Sequence, residues 1–181
     1  MAVYTTGLKQ VKVGDAVPTG TITSTVLSGL TKQFKVYNDT CEIQQDAPSV
    51  TEHKEENNAI PVISIVERQP IRIKFQVMES DLDVLKLLLG GTTVTGHNTP
   101  DDAFGYDGAD DVPNKFVLFE TVTGMDIMVP NAMISSNMSG KLSKTGIALI
   151  DVEIVPQAVT ATGKKPLVMA PKATTTSGSG Q

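Results

Sequence analysis

Between residues 71 and 78 apolar and polar side chains alternate, with Ile71, Ile73, Phe75 and Val77 set against Arg72, Lys74 and Gln76. A period of two sends successive side chains to opposite faces of a strand, so one face meets a core and the other water. The same pattern closes the chain's ordered part at 146–155, where Ile150, Val152 and Ile154 oppose Asp151 and Glu153. Residues 115–122 carry the continuous apolar run Val117-Leu118-Phe119 with no helical cap before it. Gly124 then offers a turn into a further strand over 126–134, and the two read as a hairpin. Less regular Val-, Ile- and Thr-rich stretches at 21–27, 34–43 and 60–66 are additional strands, separated by Gly, Pro, Asn and Asp.

One stretch has helical spacing. Ser80 is an N-cap, Asp81 and Asp83 sit where the helix dipole favours anions, and Gly90-Gly91 supplies the stop. Between them Leu82, Leu85, Leu88 and Leu89 form a face that should lie on the sheet. The expected fold is therefore mainly β with one flanking helix, in a single domain over 1–170.

Three stretches fall outside this pattern. Residues 44–59 (QQDAPSVTEHKEENNA) are polar, carry a proline and lack apolar periodicity, which predicts a long loop. Residues 92–114 are rich in Gly, Asp and Asn and read as a second loop, or a hairpin with an elaborate tip. Residues 171–181 form a Thr-, Ser- and Gly-rich tail that should be flexible.

Composition narrows the function. The chain has no Trp and few aromatics, which weighs against sugar platforms and base-stacking surfaces. A net charge of -5 would repel a phosphate backbone. The single cysteine, Cys41, excludes an intrachain disulfide and a cysteine-based zinc cluster within one chain, and reads as a buried or half-buried small hydrophobe. No basic-then-apolar leader opens the sequence and no apolar run is long enough for a bilayer, so the expected site of synthesis is the cytoplasm and no membrane partner is expected.

Candidate chemistry is sparse. His53 and His97 lie in different predicted loops without a second metal-ligand type at short spacing, and neither a phosphate-cradling Gly loop nor a nucleophile elbow occurs. Asp101, Asp102, Asp107, Asp110 and Asp111 offer oxygens for calcium, but the EF-hand spacing and its bidentate Glu are missing, leaving an acidic loop tip as the plainer reading. The expectation is a non-enzyme with no cofactor or metal. The mixed-charge run 51–56 is a wet surface in its plain reading. Placed in a long loop that leaves a sheet, it reads more sharply as a docking arm, with Gln44, Asp46, Glu52, His53, Lys54, Glu55 and Glu56 as candidate assembly residues.

The run DTCEIQQDAPSVTEHKEENNAIPV over 39–62 resembles a segment of tail-tube (major tail) proteins of siphophages, of the kind found in phages of Bacteroidetes hosts. The strand at 71–78, the helix, Gly90-Gly91 and the late LSKTGIALIDVEIVP over 142–156 follow in the same order, so the resemblance spans about residues 11–156. Its weight lies in the order of parts, because no single motif is diagnostic. The resemblance implies a β-sandwich or curled double sheet with one flanking helix, six copies closing into a ring, and rings stacking into the hollow virion tail. The partners implied are further copies of the chain and other tail proteins, with DNA passing through the lumen without specific binding. The long loop at 44–59 would reach a neighbouring subunit or ring, and the insertion-like 92–114 departs from the simplest form of the pattern. Two other readings stand beside this one: another virion structural protein (tail terminator, contractile inner tube, head decoration), or a monomeric β-sandwich binding module.

Overall fold

The computed structural model describes residues 5–56, 59–78, 81–95, 103–108, 112–140 and 146–172. In chain order the first elements are β1 (Thr6–Asp15), α1 (Ser24–Ser28), β2 (Lys32–Phe34), β3 (Glu42–Gln45), β4 (Ser49–Lys54), β5 (Pro61–Glu67) and β6 (Ile71–Val77). They are followed by α2 (Leu82–Leu89), β7 (Thr92–Val94), β8 (Ala103–Gly105), β9 (Lys115–Thr123), β10 (Met125–Gly140), β11 (Ala148–Pro156) and β12 (Val168–Pro171). The protein is mainly β, and its strands pair antiparallel throughout.

Eight strands form the main sheet, in the order β2-β1-β9-β10-β11-β6-β3, with β12 added to the first half of β10. The sheet curls without closing. Just beyond β2, Val36 bridges to Val77, Tyr37 N–H donates to the Gln76 carbonyl at 2.7 Å, and Met78 N–H donates to the Lys35 carbonyl at 3.0 Å. The chain leaving one edge of the sheet is thereby tied to β6 near the other.

The alternation at 71–78 does what its period requires. Ile73, Phe75 and Val77 are buried with Ile150, Val152 and Ile154 of the paired β11. Phe75 sits 5.9 Å, edge-on, from Phe119 and 6.1 Å from Phe34, linking three parts of the sheet across the curl. Helix α2 covers this core with Val84, Leu85, Leu88 and Leu89. Ser80 lies outside the described residues; the cap is Asp81, whose carboxylate accepts the Asp83 N–H at 2.9 Å, and Gly90 ends the helix at φ 74°. Ser136 Oγ donates to the Leu88 carbonyl, fastening the last turn to β10.

Three expectations need correcting. Residues 21–27 are not a strand, because Thr23 Oγ1 accepts the Val26 N–H at 3.3 Å and starts α1, a second helix. Val26 and Leu30 then join Phe116, Leu118 and Met128 in a smaller apolar cluster on the opposite face of β9 and β10. Residues 34–43 are broken: β2 ends at Phe34, Val36 makes an isolated bridge, and β3 begins at Glu42. The strand expected over 126–134 continues to Gly140, because β11 pairs with the polar Ser135, Ser136 and Asn137. Its register shifts between Val129 and Ala132, around Pro130, which has no N–H for the ladder. The bend is held by Val17 N–H on the Pro130 carbonyl, Gln157 N–H on the Asn131 carbonyl, and Asn131 Nδ2 on the Ala158 carbonyl.

Within the predicted second loop, β7 and β8 form a two-stranded hairpin. Strand β1, with buried Val11 and Val13, and the short β12 have no counterpart in the sequence expectations. Pro171 belongs to β12, and residues 173–181 lie outside the described residues.

Candidate assembly surface

Two features stand out from the packed body: a projecting hairpin and an open groove. The hairpin corrects the loop expected at 44–59. Gln44 is part of β3, opposite Arg72 of β6, and its Oε1 accepts from Lys74 Nζ at 3.4 Å. Asp46 lies in the connection to β4. Glu52, His53 and Lys54 belong to β4, while Glu55 and Glu56 are exposed at its end, with Lys54 Nζ 3.4 Å from Glu52. The seven candidate residues are thus divided between the main sheet and the hairpin rather than gathered in one site.

Among the described residues, strand β4 is ladder-paired to β5 alone, with Val50 opposite Val66, Thr51 opposite Ile65 and His53 opposite Ile63. Opposed residues share a face. One face therefore carries Val50, Val62 and Val66 with Glu52 and Lys54; the other carries Ile63 and Ile65 with Thr51 and His53, and with Ser49 and Glu67 at the root. Val50, Val62, Ile63, Ile65 and Val66 are each between 48% and 59% exposed. A strand with apolar residues on both faces is the pattern of a doubly covered strand, yet here neither face is covered.

The groove, of about 930 Å³, opens where β1, β2 and the 35–43 segment meet β6. Buried Phe34, Phe119 and Ile127 line it from the core side, beside half-buried Cys41. Tyr37, Ile43 and Met78 also line it and are large apolar side chains left in water. Burial pushes the Cys41 thiol up to about 11, because its anion would be poorly solvated here.

The groove's charged lining is Lys9, Lys35 and Asp39. On the neighbouring wall Glu120 takes Lys12 Nζ at 2.6 Å and the Gln10 amide, while Lys9 stands 3.9 Å away. Burial opposes the ionised form of Glu120, but the hydrogen bonds from Lys12 and Gln10 and the charges of Lys12 and Lys9 outweigh it, holding the carboxyl below its ordinary range.

A polar ladder covers the outer face of β6 and β11: Arg72 pairs with Glu153, Gln76 Nε2 donates to Asp151 at 2.7 Å, and Asn137 Nδ2 reaches the same carboxylate at 3.5 Å. Among the described residues no group of three or more His, Cys, Asp or Glu is placed to hold a metal. His53 stands alone on β4; His97, Asp101, Asp102, Asp110 and Asp111 lie outside the described residues, and Asp107 is within them.

The exposed apolar residues of the hairpin and groove were not among the sequence candidates. Val62-Ile63-Ser64-Ile65-Val66 did carry a signal, since apolar residues on both faces of one strand require cover on both sides. No protein-family model matches the chain, and no curated protein matches it.

Proposed function

We propose that this protein is a self-assembling structural subunit of the tail-tube type, six copies closing into a ring and rings stacking into the conduit that delivers phage DNA. The fold is read accordingly as a tail-tube-like curled double sheet, with α2 as its flanking helix. The observation that carries the proposal is the hairpin 49–67, whose two strands hold five large apolar side chains in water. Such a hairpin is marginal by itself in water, and a second copy supplies the missing cover.

Magnitudes favour a closed ring over a simple pair. Full burial of a Val or Ile contributes about 1.5–3 kcal/mol, so covering the exposed halves of these five contributes on the order of 5 kcal/mol. Association costs about 4–15 kcal/mol, and one such contact therefore holds a pair weakly. In a head-to-tail ring every subunit both gives and receives the contact, which doubles the interactions per chain and closes the set. The net charge of -5 suits a conduit that DNA passes without sticking, and the polar ladder on β6 and β11 is the wet kind of surface such a lining needs.

Sedimentation velocity over a concentration series tests this reading. The expected result is a steep rise from a single chain to large multiples; a single-chain coefficient up to several hundred micromolar would overturn it.

A further inference from the structure

The hairpin and the groove lie toward opposite ends of the same strand. β3 ends at Gln45 in register with Ile71, so the hairpin leaves the sheet where β6 begins. Tyr37 bonds to Gln76, and Met78 follows the last residue of β6, so these two groove residues lie at the other end, roughly 20 Å away at about 3.3 Å per residue, while Ile43, opposite Ile73, lines the groove nearer the hairpin's root. Two surfaces so placed on one chain suit a contact between successive copies, because a contact of this kind pairs two different patches and repeats.

We infer that the groove lined by Tyr37, Ile43, Met78 and Cys41 receives the β4–β5 hairpin of a second copy of this chain, entering with its Ile63 and Ile65 face. This deepens the assembly reading above and rests on it. The choice of face follows from charge. Ile63 and Ile65 share their side with Thr51 and His53 and meet an ionic group only at the hairpin's root, in Glu67, whereas the Val50, Val62 and Val66 side carries Glu52 and Lys54 towards its tip, where their ionic groups would lose water on entry.

The apolar chemistry matches on both partners, three exposed large side chains in the groove facing two on the hairpin. The ionic groups match in sign. Hairpin residues 49–67 hold Glu52, Glu55, Glu56 and Glu67 against Lys54, while the groove lining holds Lys9 and Lys35 against Asp39, with Lys9 also 3.9 Å from Glu120 of the neighbouring wall. Glu55 and Glu56 follow β4 directly, so the acidic tip would meet the lysines as the apolar face enters. Charges of this kind set register and direction more than affinity.

Photo-crosslinking tests this directly. In a Cys41→Ser background, Glu55→Cys is labelled with benzophenone maleimide, keeping the probe on the exposed tip. Labelled chains are mixed with isotopically heavy unlabelled chains, irradiated and mapped by mass spectrometry, with sedimentation run on the same sample. The expected result is light-to-heavy adducts concentrated on 5–10, 33–43 and Met78, falling at least tenfold when Ile63→Glu and Ile65→Glu are added. Adducts concentrated elsewhere in chains that do assemble, above all on a partner's own 49–67, would overturn the groove assignment while leaving assembly standing. Chains that stay single in sedimentation and give no intermolecular adduct would overturn both. The glutamate variant is checked by thermal melting; should it unfold, the adduct map of the parent decides the matter.

Discussion

Cys41 and Gly91 show how much a single position can carry in this chain. With its thiol pushed up to about 11 from its ordinary 9.0, Cys41 holds roughly one thiolate in a thousand at pH 8, against about one in ten for the unburied thiol. Its alkylation by iodoacetamide should accelerate about tenfold per pH unit between pH 8 and 10, followed by intact mass; a plateau by pH 9 would contradict the burial argument. The sign for stability follows. The unfolded thiol ionises first, near its ordinary 9.0, so this group's contribution is complete below pH 9 and is lost as pH rises towards 11. Gly91 sits at φ +86°, and a Cβ there would stand 2.4 Å from the Gly105 carbonyl oxygen, across the β7–β8 pairing. Gly91→Ala should destabilise by about 1–3 kcal/mol, from a left-handed backbone and a backbone clash together. A thermal melt within about a degree of the parent would contradict it.

At the level of elements, legibility followed burial. β6, β9 and β11 were readable because one face of each meets the core, which writes an alternation or an apolar run into the sequence. α2 was readable because its leucines fall at helical spacing between a cap and a glycine. β1 was missed because its alternation is carried by Leu8, Val11 and Val13 around Gly7 and Gly14, with a bulge between Leu8 and Gln10 that breaks the period. The hairpin was half legible: β5 read as a strand, while β4 read as loop because its side chains face water and its order comes from pairing. The residues of the groove left no pattern at all, since the 35–43 segment and Met78 meet only through the curl of the sheet. Replacing 49–67 by a short Gly-Ser turn should leave the far-UV circular dichroism of the body and shift the melt by only a few degrees, because both hairpin faces lie outside the core. The same variant should lose self-association. A collapse of the fold would contradict the view that the hairpin is made for a partner and not for its own body.

At the scale of the whole molecule, the curl of the main sheet ties the chain beyond β2 to β6, yet the hairpin that rises beside β3 is left with both faces in water. The hairpin contributes no residue to the core under α2 or to the small cluster behind β9 and β10, so its apolar strand surface is not used by the body. Negative-stain electron microscopy of the purified chain over a concentration series tests the central claim most directly. The account predicts hollow rings and stacked tubes for the intact chain and neither for the hairpin replacement. Isolated globular particles from the intact chain at every concentration, or tubes formed equally well without the hairpin, would contradict it.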